Sequence, residues 1–332
     1  MEDVAILILS LGIILIGAEG FTNGVEWLGQ RLNLGAGAVG SILAAVGTAL
    51  PETMVPVIAF LGGGGEQKAE VGIGAILGAP FMLSTLAFFI AGLSVLIFRR
   101  HNRPLLLDRS VLQRDLSFFL IVYSVAILAS FLPNHFLKIL AALALVIFYA
   151  VYVFRTLRES KGGGEEHENL PPLYLARRSH HPAMGVILGQ IGLALLAIVA
   201  GAHGFVGAVQ EVAVVTGIPA FVLSLIITPI ATELPEKFNS VLWLRRGKDT
   251  LALGNITGAM VFQSSVIPAL GLLFTPWVLD SLALLSAVLA LGAALMPYLA
   301  LRRKGVIFPA YLLIGGGFYL VFLVSAVRFQ IY

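Results

Sequence analysis

The chain of 332 residues is 58% hydrophobic and only 12% charged, carries a formal net charge of +3, and contains no cysteine. Disulfides, thiolate metal sites and cysteine nucleophiles are thereby excluded, and the basic residues are too dispersed over loops to form a nucleic-acid surface. Apolar runs of about 20 residues, the length that crosses a bilayer, predict a polytopic, all-α membrane protein and not an enzyme.

Ten spans are predicted, over residues 4–26, 36–61, 69–98, 115–132, 135–154, 184–209, 217–244, 250–274, 279–300 and 306–327. The start, Met1-Glu2-Asp3, is acidic, unlike the basic head of a signal peptide, so the first run is expected to remain as a span. Four glycines at 62–65 predict a flexible outer turn. No Gly-Lys-Ser/Thr follows them, so neither a phosphate loop nor any nucleotide site is expected, and energy would come from an ion gradient. Residues 155–183 hold Gly162-Gly163-Gly164-Glu165-Glu166, three prolines and scattered charges, and read as a solvated linker between two halves, 1–154 and 184–332.

With the N-terminus outside and strict alternation, the inner loops collect Arg31, Arg99, Arg100, Arg103, Arg109, Arg114, Arg155, Arg158, Lys161, Arg177, Arg178, Arg245, Arg246, Lys248, Arg302, Arg303 and Lys304. The outer side holds only Lys68, Lys138 and Arg328, and Lys237 lies within a span. The positive-inside rule therefore places the linker in the cytoplasm. A prokaryotic inner membrane is expected.

A shift of 184 residues lays Gly17-Ala18-Glu19-Gly20-Phe21 on Gly201-Ala202-His203-Gly204-Phe205. It also lays Thr48, Leu50, Pro51 and Glu52 on Thr232, Leu234, Pro235 and Glu236 without a gap. After the glycine run the shift becomes 180, and Gly74, Ile76, Gly78, Ala79 and Ser84 fall on Gly254, Ile256, Gly258, Ala259 and Ser264. Two homologous repeats of five spans each must enter the membrane from opposite sides, an inverted-topology arrangement whose site lies at the midplane where interrupted helices meet.

The chemistry concentrates in the two matched stretches, Gly47-Thr48-Ala49-Leu50-Pro51-Glu52 and Ala231-Thr232-Glu233-Leu234-Pro235-Glu236. A charge at mid-membrane costs roughly 2.5–3.5 kcal/mol on insertion scales and marks a pathway or a site. Each proline deprives the carbonyl four residues earlier of its donor, so each stretch offers carboxylate oxygens beside loosened backbone oxygens, the donors hard cations prefer. The pseudo-two-fold axis would bring Glu52 and Glu236 together, where a divalent ion, two protons or two monovalent ions neutralise the pair equally. The plainer alternative makes each a buried structural acid bonded to a neighbour.

These stretches resemble the α-repeats of the cation/calcium exchanger superfamily, marked by G-T-S-L-P-E and a following helix with G-S-N. The resemblance implies that Glu52 and Glu236 are the principal ion ligands, that Thr48 and Thr232 add backbone oxygens, and that no cofactor is needed. It implies a secondary antiporter that moves Ca2+, or a similar divalent cation, in exchange for Na+ or H+ by alternating access. Its first and sixth spans would slide past the site. Where the superfamily has sodium-binding serines, this chain has Ala49, Glu233, Ala79 and Ala259, and where asparagines follow it has Pro80 and Met260. The acid or amide one turn on is Leu83 in one repeat and Gln263 in the other. Calcium-type ligands survive and sodium-type side chains mostly do not, which makes protons a rival counter-ion.

Secondary candidates for the ion path are Gln263, Glu233, Lys237, Ser84, Ser264, Asn255, Glu19 and His203. Glu233 and Lys237, four apart, are expected to neutralise each other; the sharper alternative makes Lys237 a permanent stand-in for one sodium. Ser84, Thr85, Ser264 and Ser265 are expected to bond their own helices or a neighbouring one. Glu19 is either a pathway carboxylate or a group reaching the membrane surface. His203 is expected as a hydrogen-bonded core residue, with proton carriage as the alternative. Metal cations and lipid are the expected partners, with no nucleic acid or nucleotide, and one copy suffices for the site. Rival readings are a monovalent cation/proton exchanger, a cation channel and a non-transporting membrane scaffold.

Overall fold

The computed structural model describes residues 2–32, 44–61, 65–99, 103–160, 171–179 and 181–331. Among these residues there is no strand. The helices in chain order are α1 (Glu2–Arg31), α2 (Ala44–Leu61), α3 (Gly65–Met82), α4 (Phe88–Arg99), α5 (Arg109–Leu128), α6 (His135–Ser160), α7 (Met184–Thr216), α8 (Ala220–Arg245), α9 (Asp249–Phe274), α10 (Ser281–Lys304) and α11 (Pro309–Ile331). Within the described residues every predicted span falls on helix, and residues 36–43 of the second span lie outside them. Eight helical stretches among the described residues are long and apolar enough to cross a membrane, Gln67–Arg99 being one continuous rod through α3 and α4. Helices α2 and α8, which carry the Leu-Pro-Glu segments, contribute shorter apolar stretches, Glu52–Leu61 and Ala220–Ile230.

Contrary to expectation, α2 and α8 run on through Pro51 and Pro235. One missing donor removes one backbone bond and does not by itself end a helix. The departure from α geometry lies instead in the π-helical turn Leu83–Ala87 between α3 and α4. There the register shift strands carbonyls after Pro80, and side chains take them up: Ser84 Oγ donates to Pro80 O at 2.8 Å and Thr85 Oγ1 donates to Phe81 O. In α9, Ser264 and Ser265 donate to Val261 O at 3.2 and 2.6 Å. All four hydroxyls thus serve their own helices, as expected.

The largest boundary shifts are three. Helix α5 starts at Arg109, not near 115, because the Asp108 side chain caps it, accepting from Ser110 N at 2.9 Å and Val111 N at 3.5 Å. The Ser110 hydroxyl and amide hold that carboxyl below the usual carboxylate range. Helix α7 extends to Thr216 and ends on Gly217, whose φ of 72° is left-handed. Helix α6 extends to Ser160, so the predicted linker begins as helix. Residues 161–170, including the glycine run of the linker, lie outside the described residues.

Loops predicted to share a side do meet. Arg99 forks onto Asp249 and bonds Leu244 O, Leu106 N donates to Asp249 Oδ2 at 2.8 Å, and Leu105 N donates to Ile307 O at 2.9 Å. At the other end Lys138, 7% exposed, donates to Pro276 O and Trp277 O rather than lying in solvent. Its length lets it cap turn carbonyls that the Trp277 backbone, at φ 46°, turns toward it.

Two packing units emerge. Helices α1 and α7 cross antiparallel through glycines, and the crossing maps onto itself under the 184-residue shift. A Cβ on Gly17 would lie 2.8 Å from Ile198 Cγ1 and 3.0 Å from Ala194 O; one on Gly201 would lie 2.8 Å from Ile14 Cγ1 and 3.0 Å from Ser10 O. Gly17→Ala is therefore expected to destabilise the protein by about 1–3 kcal/mol, read as a lower thermal midpoint in detergent, with partial recovery when Ile198→Ala is added. The larger core is built by α3, α4, α5, α9, α10 and α11 around Phe81, Phe119, Tyr123, Met260 and Phe322, all at most 1% exposed. Outward, α6 presents Phe136, Leu140, Leu143, Ile147 and Phe154 as one exposed stripe at helical spacing, the face lipid would cover.

Candidate cation site

Helix α8 carries six buried polar side chains, more than any other helix among the described residues. Ser224, Thr228 and Thr232 recur every four residues along one face and are buried. Ser224 Oγ donates to Val71 O at 2.7 Å and lies 3.2 Å from Thr228 Oγ1, tying α8 to α3. Thr232 Oγ1 donates back to Thr228 O at 2.9 Å, so its hydroxyl is spent within the helix. The same four-residue step leads to Glu236, whose side chain, like that of Thr48 in α2, lies outside the described residues.

One turn around α8, Glu233 and Lys237 form the expected pair, with Glu233 Oε2 3.1 Å from Lys237 Nζ and both side chains at most 4% exposed. Helix α9 completes their surroundings. Lys237 Nζ donates to Asn255 Oδ1 at 3.2 Å, and Ser240 Oγ reaches the same oxygen at 3.4 Å. Gln263 Nε2 donates to Glu233 Oε1. Asn255 is exposed and Gln263 is 1% exposed, so this chain of groups runs from the molecular surface to the interior. Gln263 Oε1 is buried and accepts no hydrogen bond among the described residues. Leaving a buried amide oxygen without a donor costs about 1–3 kcal/mol, whereas a cation satisfies it directly.

Glu52 sits on α2 at 2% exposure, one turn before Val55 and two before Ala59, which join a cluster with α1, α3 and α7. Helix α2 also packs on α9, the helix of Asn255 and Gln263. Buried charge in such surroundings demands compensation by donors or by a cation.

Glu19 and His203 are not in the interior. Glu19 is exposed on α1 and accepts from Tyr174 Oη at 2.6 Å; that bond pushes the Tyr174 phenol up to about 12. His203 is exposed on α7, which corrects its expected place in the core: the α1–α7 crossing is lined by Gly201, Ala202 and Phe205, and the third position of that turn faces outward. Residues 171–179 are likewise not a free linker. Trp27 Nε1 donates to Pro171 O at 2.9 Å, and Gln190 Nε2 donates to Gly20 O and Asn23 Oδ1, both at 2.9 Å. With Leu175 N donating to Gln190 Oε1 at 2.9 Å, the segment straps α1 to α7.

A further buried acid escaped the sequence reading. Asp115, 1% exposed, accepts from Tyr152 Oη at 3.0 Å, Thr257 Oγ1 at 2.8 Å and Arg114 Nε at 3.2 Å. Its donors already occupy both oxygens, which marks it as a fastener of α5, α6 and α9. Its signal was an acid set two turns inside a helix once Asp108 is recognised as the cap.

Comparison with known proteins follows this geometry. The model of a family described as sodium/calcium exchanger protein matches residues 3–158 and 186–328. The inner membrane protein YrbG of Escherichia coli (strain K12) is 26% identical over 282 residues, 84% of this chain and 82% of that protein. The fold is similar to the crystal structure of the H+/Ca2+ exchanger CAX, with a TM-score of 0.74 at 17% identity over 98% of this chain and 82% of that one. It is similar also to the sodium-calcium exchanger NCX_Mj, with a TM-score of 0.59 at 21% identity over 97% of this chain and 98% of that one.

Proposed function

The chain belongs to the sodium/calcium exchanger protein family, and from that premise we propose that it is a secondary antiporter carrying Ca2+, or a similar divalent cation, in exchange for H+ or Na+. In this reading Glu52 and Glu236 are the principal ligands, and backbone oxygens near Thr48 and Thr232 and the Gln263 amide oxygen complete the shell. The observation that carries it is Glu52, a carboxylate 2% exposed inside a helix bundle, set in a stretch that recurs with its proline and acid intact. Calcium seeks about 6–8 oxygens, and both structural relatives named above exchange calcium. Ala49, Ala79 and Ala259 stand where hydroxyls would hold sodium, which favours protons as the counter-ion.

The arrangement of the halves follows from the same reading. Repeats 1–154 and 184–332 are inverted copies, supported by the antiparallel, self-matching crossing of α1 and α7. The N-terminus lies outside and the linker 155–183 in the cytoplasm of a prokaryotic inner membrane, supported by the basic residues gathered on one side. Helices α1 and α7, strapped together by residues 171–179, rock as one body against the rest, and one copy holds a complete site.

The test is uptake of radioactive calcium into proteoliposomes under imposed pH, sodium and potassium gradients. A pH gradient is expected to drive accumulation above equilibrium. Accumulation under a sodium gradient with no response to pH would overturn the proton assignment, and calcium flux without any coupled counter-ion would make the protein a channel. No calcium movement or binding would sink the antiporter reading.

A further inference from the structure

The ammonium of Lys237 is unusual in what surrounds it. It lies inside the bundle at 3% exposure, 3.1 Å from the Glu233 carboxylate and 3.2 Å from the Asn255 amide oxygen, with the Ser240 hydroxyl on that same amide. Carboxylate, amide oxygen and hydroxyl are the donor types that a small monovalent cation takes from a protein. The position is one turn along α8 from Glu233, itself part of the repeated Leu-Pro-Glu stretch. The other oxygen of Glu233 is engaged by Gln263, whose own carbonyl oxygen is left without a donor.

We propose that Lys237 is a tethered cation: its ammonium permanently fills a monovalent-ion position on Glu233 and Asn255, so the protein binds one exchangeable monovalent ion fewer than its donor groups would hold. The inference rests on the reading that this face of α8 borders the ion site, and it adds what that reading leaves open, the number of ions exchanged. Because the lysine is bonded to its own helix, it neutralises Glu233 without crossing the membrane. Glu233 is thereby removed from the set of acids that load and unload, and it serves to hold the Gln263 amide so that the carbonyl oxygen stays free for the transported ion. Removing the ammonium alone should expose the position to ions from solution; removing both charges should not.

The experiment compares the wild-type protein, Lys237→Met and the double variant Lys237→Met/Glu233→Gln in detergent, titrated with sodium chloride against choline chloride of equal ionic strength. Thermal unfolding and sodium calorimetry are the readouts. Lys237→Met is expected to bind one more sodium ion than the wild type. Its midpoint should rise by about 5 °C more than the wild type's at sodium a hundredfold above the dissociation constant. The double variant should match the wild type in both measures. Equal sodium binding in Lys237→Met and the wild type would overturn the proposal. So would a Lys237→Met protein that fails to fold even in high sodium, since an ion at that position should replace the ammonium. An extra sodium ion in the double variant would overturn it as well. None of these readouts involves calcium flux, so failure of the antiporter reading is told apart by the proteoliposome assay.

Discussion

Glu52→Gln is expected to abolish calcium transport while leaving the protein folded. The substitution keeps the shape of the side chain and removes its charge, so the packing of α2 against α1, α3 and α7 survives. The electrostatics do not. In the proposed site a divalent ion between Glu236 and Glu52, itself 2% exposed, would be neutral as a unit, and with one carboxylate gone the unit would keep a positive charge in surroundings that cannot solvate it. Truncating one partner of a buried charge pair costs about 2–5 kcal/mol, which at 1.4 kcal/mol per tenfold weakens calcium binding roughly 30-fold to several thousand-fold. Calcium calorimetry and the initial rate of uptake into proteoliposomes measure it, with thermal unfolding as the check on folding. Uptake by Glu52→Gln at the wild-type rate would show that the carboxylate is structural and that the site lies elsewhere.

Much of this molecule is written in local pattern, and the part that is not has a common cause. Hydropathy placed the spans on helices throughout the described residues, because burying backbone in lipid leaves little but helices, and the i,i+4 spacing of Glu233 and Lys237 foretold their ion pair. What the pattern did not hold is partnership between side chains far apart in sequence. Arg99 and Asp249 fall at the ends of two different predicted spans, yet they form one fork that pins the loop after α4 to the start of α9. Asp115 stood only as the first residue of a predicted span, and its bonds to Tyr152 and Thr257 come from two other helices. The strap at 171–179 looked like a linker because its composition is that of one; only the opposing Trp27, Asn23 and Gln190 make it adhere. The π turn at Leu83–Ala87 had a faint sign in Ser84 and Thr85 following Pro80, hydroxyls placed to rescue carbonyls that a shifted register abandons.

The same contrast between matched sequence and unmatched surroundings governs Gly78 and Gly258, which the 180-residue shift superposes. Gly78→Ala is expected to destabilise the protein severely and Gly258→Ala hardly at all. At Gly78 an added Cβ would overlap Leu225 O and lie 2.9 Å from the carbonyl carbon and Cα of that residue, and at Gly74, one turn earlier, it would lie 2.5 Å from Phe221 O. These are backbone atoms, which cannot swing aside as a side chain does, so α3 and α8 must separate. Separation breaks the 2.7 Å bond from Ser224 to Val71 O and displaces the helix that carries Glu233, Glu236 and Lys237. Overpacking costs about 1–3 kcal/mol where side chains can yield, and the upper part of that range is expected here, with calcium transport lost alongside. At Gly258 the nearest atom is Tyr152 Oη at 3.8 Å, an ordinary contact, and alanine there should stay within about 0.5 kcal/mol of the wild type. Thermal midpoints of the two variants in detergent decide the matter. Equal losses would mean that glycine stands at these positions for some reason shared by the two repeats, and that close approach of α3 to α8 is not what requires it.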